Sequence, residues 1–181
     1  GFSFRYEAPL DMRMNQEAER TAADIINSYE QDELEKILRL YGEVDNSRRI
    51  AQVICKAREA ARIETTTDLG KAIESALPKF AEHKFLAKVY QALRIEVNQE
   101  MKSLEKFLSG AAKSLKPGGR LVVITYHSLE DRIVKQTFAD LAKGCTCPKN
   151  LPVCVCHNQP KLEIVSKKPI LPSEAELAEN P

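Results

Sequence analysis

The chain has 181 residues, of which 43% are hydrophobic and 29% are charged. That length supports one globular domain with a core, or a core with a small appended subdomain. No segment approaches the roughly 20 consecutive apolar residues of a transmembrane helix, and recurring apolar periodicity excludes general disorder. Because 27 basic residues nearly balance 26 acidic ones, the net charge is only +1 and predicts no overall attraction to nucleic acid.

Residues 1–20 contain Pro9 and scattered polar groups, and they predict an irregular lead-in. They show neither the charged, apolar and small-residue blocks of a secretory signal nor an initiator methionine. We therefore expect a chain that begins inside a longer protein and stays in the cytoplasm.

Residues 21–78 predict four short amphipathic helices. Thr21 with Asp24 and Thr65 with Asp68 have the spacing of capping boxes, and Gly42 is placed to end the second helix. Apolar positions recur at helical spacing in the second and third helices: Leu34, Ile37, Leu38 and Tyr41, then Ile50, Val53, Ile54, Ala57 and Ala61. Four such helices with brief links predict a small helical bundle.

After Pro78 the pattern changes. A single long helix is predicted from about 85 to 115, laid across a sheet or bundle, with a short coiled coil as the alternative. A Pro-Gly-Gly turn then leads into Leu121–Thr125, a continuously apolar run that predicts a buried strand. Ser128 to Asp131 has the spacing of a helix cap, and a late strand and a terminal helical turn are expected near residues 162–179. Because one strand cannot form a sheet, its partners must come from elsewhere.

The chain has five cysteines. Cys55 lies in a helical pattern and is expected to pack as a small apolar residue. The other four form two C-x-C pairs, at Cys145 and Cys147 and at Cys154 and Cys156. In a reducing compartment disulfides are the weaker expectation, and four thiolates could close a tetrahedral zinc site. A thiol-rich loop without metal is the alternative, because the cysteines of a C-x-C pair have less freedom to converge on one ion than those of a C-x-x-C pair.

Three groups of polar residues are candidates for chemistry. His127 follows the predicted strand, where α/β sheets bind ligands, although a structural hydrogen bond would also explain it. Arg94 and Asn98 share one face of the long helix, with Lys88 and Gln91 nearby, as on any amphipathic helix. Asp11 and Arg13 form a compact pair in the lead-in.

Residues 141–170 hold five lysines against one acid and could meet phosphate: Lys143, Lys149, Lys161, Lys167 and Lys168.

Several segments, which follow one another in the same order along the chain, are similar to one known family. They are Gly1–Arg5, Pro9–Met14, Thr21–Asp24, Tyr41–Glu43, Gln91–Asn98, Pro117–Leu121, His127–Lys135, the Cys-x-Cys-Pro at 145–148 and Lys168–Ile170. Together they resemble the MraW/RsmH-type bacterial methyltransferases over nearly the whole chain. The resemblance implies an S-adenosylmethionine-dependent enzyme that methylates the exocyclic amine of a cytidine in small-subunit (16S) ribosomal RNA.

The resemblance also implies a class I methyltransferase fold, an α/β Rossmann-like core interrupted by an all-helical insertion. Residues 1–14 would be a lead-in from the core, residues 15–85 the insertion that holds RNA, and residues 86–181 the C-terminal part of the core. The family's glycine-rich cofactor loop precedes the segment equivalent to Gly1, so cofactor-binding residues stay unassigned and the chain alone is not expected to be competent.

By resemblance, Asp11, Arg13, Asn98 and His127 approach the target base, while Lys88, Arg94, Lys167 and Lys168 meet RNA. The expected partners are small-subunit ribosomal RNA and a second copy of the chain in a homodimer, with no membrane. Two other functions stay open: a non-catalytic RNA-binding module, and a zinc-stabilised docking element for a protein partner.

Overall fold

The computed structural model describes residues 6–78, 80–145, 147–148, 152–166 and 168–179. Within these residues lie eight α-helices: α1 Ala22–Ser28, α2 Gln31–Gly42, α3 Ser47–Ala60, α4 Thr66–Ile73 with a 3-10 turn at Glu74–Ala76, α5 Glu82–Asn98, α6 Glu100–Ser114, α7 Ser128–Ala142 and α8 Glu174–Glu179. The chain divides into two compact units, residues 1–103 and 104–181. Over the described ranges, every helix is too short or too polar to cross a bilayer.

Both predicted capping boxes are confirmed. The Thr21 hydroxyl accepts from the Asp24 N–H at 3.2 Å, and the Asp24 carboxylate accepts from the Thr21 N–H at 3.0 Å. At the start of α4, Thr65 and Asp68 make the same reciprocal pair at 3.1 and 3.0 Å. These bonds satisfy backbone donors that a helix start otherwise leaves free, so α1 and α4 begin where the sequence predicts.

Helices α1 to α5 enclose the apolar core of the first unit. Its fully buried large side chains come from all five helices and from the lead-in: Leu10, Ile25, Ile26, Leu34, Leu38, Ile50, Ile54, Leu69, Ile73 and Leu93. Removing one such side chain from water contributes about 1.5–3 kcal/mol, so the apolar stripes predicted from periodicity are the main source of stability here.

Helix α2 packs closely against α5 at Gly42. A Cβ atom at this position would lie only 2.6 Å from the Lys88 carbonyl oxygen. Gly42 is the last residue of α2, as predicted, but the left-handed residue that ends the helix is Glu43, with φ 48°. Glycine is therefore required for the approach of α5 rather than for the turn.

The lead-in is irregular, as predicted, yet it is held firmly to the helices. The Leu10 side chain is 1% exposed, and its N–H donates to the Glu64 carbonyl at 2.8 Å. Pro9 and Thr65 form an isolated antiparallel bridge. The Ala22 N–H donates to the Asp11 carbonyl at 2.8 Å, so the backbone on both sides of Pro9 is fixed.

The single helix predicted from about 85 to 115 is wrong. Helix α5 ends at Asn98, Gln99 adopts a left-handed backbone with φ 48°, and α6 begins at Glu100. The Asn98 side chain donates to the Arg94 carbonyl at 2.8 Å and to the Met12 carbonyl at 2.8 Å. A side-chain amide thus competes for a helical acceptor at the point where the lead-in crosses α5.

In the second unit, α7 begins one residue earlier than its predicted cap implies. His127, rather than Ser128, is the N-cap residue, and its Nδ1 accepts from the Glu130 N–H at 3.4 Å. Residues Leu121–Thr125 form no ladder with other described residues, and Val122 and Ile124 are 83% and 78% exposed. The late strand near residue 164 likewise finds no ladder within the described ranges, whereas the terminal helical turn is confirmed as α8.

Candidate functional site

Asp11, Arg13 and Asn98 come together at the C-terminal end of α5. The Arg13 guanidinium donates two hydrogen bonds to the Asp11 carboxylate, from Nε to Oδ1 at 2.6 Å and from Nη2 to Oδ2 at 2.9 Å. These bonds hold the pKa of Asp11 below its usual range. The Arg13 Nη1 also donates to the Gln16 and Ala18 carbonyls. The predicted pair is therefore a rigid element with an ionised carboxylate that is 37% exposed.

Asn98 fixes the backbone of the same loop. Its amide nitrogen donates to the Met12 carbonyl at 2.8 Å, and its amide oxygen accepts from the Met14 N–H at 2.7 Å. Met12 has a left-handed backbone with φ 60°, a conformation that a methionine rarely adopts. The two bonds from Asn98 bracket this residue, so Asn98 positions the loop that carries the Asp11 carboxylate.

Lys88 and Gln91 lie on the face of α5 that meets the end of α2. The Lys88 ammonium donates to the Glu43 carbonyl at 2.9 Å, and the Gln91 amide donates to the Tyr41 carbonyl at 2.9 Å. Both bonds satisfy carbonyl groups that the end of α2 leaves free. Arg94 makes two bonds to the Glu100 carboxylate, at 2.9 and 3.2 Å, so its charge is already balanced within the first unit.

Lys88 also lines an open groove that the sequence did not indicate. The groove has a volume of about 630 Å³ and lies between the start of α3, the 3-10 turn and the start of α5. Three cations, Arg49, Lys84 and Lys88, line it together with Asp45 and Phe85. Lys84 and Lys88 are four residues apart and share a helix face, which is the one signal visible in the sequence. Arg49 joins them only through folding.

His127 lies in the second unit, at the start of α7. Its side chain is 15% exposed, and its Nε2 is 3.5 Å from a Glu130 carboxylate oxygen. That separation is long for a hydrogen bond, and Nε2 is buried without a hydrogen-bond partner in the described part of the chain. The hydrogen bond that His127 Nδ1 accepts from the Glu130 N–H gives His127 a structural role at the start of α7.

The four clustered cysteines converge in the loop after α7. Their sulfur atoms all lie within 4.8 Å of one another, with Cys154 and Cys156 at 3.6 Å and Cys156 and Cys145 at 3.8 Å. The Cys147 N–H lowers the pKa of the Cys145 thiol, but hydrogen bonds among the thiols and burial raise it, to about 12. The C-x-C spacing therefore does not prevent convergence. Cys55 is half-buried in α3, where burial raises its pKa.

The MraW methylase family matches residues 1–181. The chain belongs to the MraW methylase family. It is 49% identical over 180 residues to a Fusobacterium nucleatum protein named Ribosomal RNA small subunit methyltransferase H. Proteins of the same name from Pelobacter propionicus and Symbiobacterium thermophilum are each 50% identical over 184 residues.

These alignments cover 99%, 100% and 100% of this chain, and 57%, 59% and 58% of the three relatives. The chain thus spans less than three-fifths of the length of the curated relatives it matches. The resemblance on which the sequence interpretation depends is confirmed at the level of the MraW methylase family.

The basic tail of this MraW methylase chain is described only in part. Lys168 is exposed, and its carbonyl accepts a hydrogen bond from the Ser166 hydroxyl. Lys167 lies outside the described residues. The predicted RNA contacts of both lysines stay predictions.

Proposed function

We propose that this chain takes part in methyl transfer from S-adenosylmethionine to the exocyclic amine of a cytidine in small-subunit ribosomal RNA. The observation that carries the proposal is the family match over residues 1–181. It is joined by relatives named Ribosomal RNA small subunit methyltransferase H at 49–50% identity. Within that reaction we assign the chain the side that receives the RNA.

The proposed architecture is a class I methyltransferase core with a helical insertion. Residues 1–14 and 86–181 would belong to the core, and residues 15–85 to the insertion. The apolar segment Leu121–Thr125, with Val122 and Ile124 exposed, supports this assignment, because its composition is that of a strand that pairs with others in a sheet. A cytoplasmic location and a homodimer complete the proposal, and sedimentation of the protein in solution tests the second.

The described residues do not themselves fit S-adenosylmethionine. Within them, strand pairing is limited to the bridge between Pro9 and Thr65, whereas open α/β sheets bind ligands beyond the carboxyl ends of several strands. The groove beside α5 is lined by Arg49, Lys84 and Lys88, a poor match for a sulfonium cation. We therefore assign none of the described residues to S-adenosylmethionine. The cations of the groove are proposed to bind RNA phosphate instead.

The target amine requires help from the protein, because its lone pair is delocalised into the cytosine ring. A site must unstack the base, hold the amine in line and accept hydrogen bonds from its protons. Asp11 is suited to accept such a bond, since Arg13 keeps its carboxylate ionised. We assign Arg13 and Asn98 the role of holding Asp11, and His127, in the second unit, stays a separate catalytic candidate.

RNA contact is assigned first to the groove residues. Among the described residues that line the groove, Arg49, Lys84 and Lys88 outnumber the acid Asp45, so the groove suits phosphate. Arg94 stays a candidate, with Glu100 as the partner that RNA would have to displace. Lys167 and Lys168 remain candidates in the tail.

The first prediction tests function and groove together in the full-length enzyme. Substituting Arg49→Ala and Lys84→Ala should raise KM for small-subunit ribosomal RNA by roughly tenfold while kcat changes little. Phosphate contacts stabilise the bound substrate and the transition state equally, so their loss weakens binding without slowing the chemical step. The slope of log affinity against log salt should fall by about 2, one for each lost phosphate contact. Methyl incorporation at cytidine and RNA binding over a salt series measure these effects.

Lys36→Ala is the matched control, because Lys36 is exposed on α2 and does not line the groove. Its KM and salt slope should equal those of the unmodified enzyme. If the unmodified enzyme transfers no methyl group to cytidine, the proposed function fails. If it does so and the double variant keeps its KM and slope, only the assignment of the groove fails.

A second candidate function is a zinc-stabilised docking element for a protein partner. It is favoured by one observation, the convergence of four cysteine sulfurs within 4.8 Å of one another. Zinc is accordingly the second cofactor proposed for this chain.

A further inference from the structure

We propose that Cys145, Cys147, Cys154 and Cys156 bind one zinc ion in a closed four-thiolate site that holds the loop after α7. The zinc site is the metal-binding part of the second candidate function, and it can exist whether or not a protein partner docks. It is independent of methyl transfer, so either proposal can fail without the other.

The sulfur positions match the edges of a tetrahedron around one ion. A zinc–sulfur bond of about 2.3 Å places tetrahedral sulfurs about 3.8 Å apart. The Cys154 and Cys156 sulfurs are 3.6 Å apart, and those of Cys156 and Cys145 are 3.8 Å apart. A disulfide requires about 2.05 Å, so these sulfurs are placed for a shared ion rather than for pairwise bonds.

Backbone donors already point at two of the sulfurs. The Cys147 N–H donates to the Cys145 sulfur at 3.4 Å, and the Val155 N–H donates to the Cys147 sulfur at 3.4 Å. Such bonds orient the ligands of a metal and offset the negative charge that thiolates concentrate around it. The bond from Val155 also joins the two C-x-C pairs, since Val155 lies between the cysteines of the second pair.

The loop is closed at its base, and the apolar side chains that the structure describes at its tip are exposed. At the base, the Lys161 N–H donates to the Leu141 carbonyl at 2.8 Å, and the Asn158 amide donates to the Gly144 carbonyl at 2.7 Å. At the tip, Val153 and Val155 are 70% and 66% exposed. An ion that joins four side chains would supply stability that these two exposed valines do not provide.

The ligand set selects the class of metal. Four sulfur ligands in tetrahedral arrangement suit zinc, and with all four positions taken no site is left for substrate, so the ion is structural. An iron–sulfur cluster distributes its cysteines over different irons and would separate the sulfurs more widely than a single ion does. Binding is a proton exchange without redox change: each thiol that becomes a ligand releases its proton to solvent as its sulfur–zinc bond forms.

The second prediction is that the reduced, purified chain holds one zinc ion, measured by elemental analysis, and that cobalt substitution gives the absorption of tetrahedral thiolate. Cys145→Ser and Cys156→Ser, one from each pair, should each weaken zinc binding at least roughly tenfold. Cys55→Ser is the matched control, because Cys55 lies in α3 of the first unit, and it should leave zinc binding unchanged.

A second readout separates metal binding from misfolding of a variant. Chelation of zinc from the unmodified chain should speed tryptic cleavage at Lys143 and Lys161, which flank the loop, and leave the helical circular dichroism of the first unit in place. A metal-free chain, a pair of disulfides detected by mass, cobalt absorption without thiolate bands, or zinc retained by both loop variants would each overturn the proposal.

Discussion

At the scale of single residues, Asn98 makes more of the contacts that hold the first unit together than its sequence position indicates. Its side chain bonds the Met12 carbonyl, the Met14 N–H and the Arg94 carbonyl, and so joins the lead-in to α5. The sequence predicts correctly that Arg94 and Asn98 lie on one helix face. It could not predict the partner of Asn98, because Met12 is 86 positions away and no local pattern encodes that contact.

The third prediction concerns the stability that Asn98 provides. Asn98→Ala should lower the free energy of unfolding by about 2 kcal/mol, because a part-buried carbonyl and a strained loop both lose their partner. Urea unfolding of the chain measures the change. Gln52→Ala, which removes an exposed amide from α3, is the control and should change stability by less than about 0.5 kcal/mol. Equal effects of the two substitutions would contradict the positioning role.

At the scale of elements, the two predicted capping boxes are encoded locally, whereas the break between α5 and α6 is not. The capping boxes at Thr21 and Thr65 depend on side chains three residues apart, so the sequence suffices to place α1 and α4. The break after Asn98 depends on the lead-in, and the periodic apolar pattern runs through it unchanged. The cap of α7 falls on His127 because its imidazole Nδ1 can accept, a role less common for histidine than for serine.

The fourth prediction follows from the carboxylates of the two boxes. Hydrogen bonds from Thr21 lower the pKa of Asp24, and hydrogen bonds from Thr65 lower that of Asp68. Their stabilising effect is therefore complete above the unfolded-state pKa of about 3.9 and is lost as pH falls through the lower folded-state values.

The chain carrying Asp24→Asn and Asp68→Asn should accordingly lose less stability between about pH 7 and about pH 3 than the unmodified chain does. Urea unfolding at the two pH values measures the difference. Asp32→Asn removes an exposed carboxyl of α2 outside both boxes and serves as the control against which the double variant is compared. An identical acid response in the double variant and the unmodified chain would exclude the capping boxes as its source.

At the scale of the whole molecule, the sequence predicts the helical part far better than the sheet. The helical bundle closes its core with residues between Leu10 and Leu93, all inside one unit. The segment Leu121–Thr125 has the composition of a buried strand, yet Val122 and Ile124 are 83% and 78% exposed. The composition of a segment indicates the environment that suits it, whereas the strands that pair with it depend on the complete sheet.

The fifth prediction is that the first unit folds by itself. Its core draws on α1 to α5 and the lead-in, and the capping boxes, the pair between Asp11 and Arg13 and the bonds of Asn98 all lie within residues 1–103. A chain truncated after Ser103 should therefore remain helical and unfold in one cooperative transition, followed by circular dichroism during heating. Ile54→Asp, which buries a charge in this core, should abolish that transition in the truncated chain. A truncated chain that is helical but melts without cooperativity would mean that residues beyond 103 complete the core.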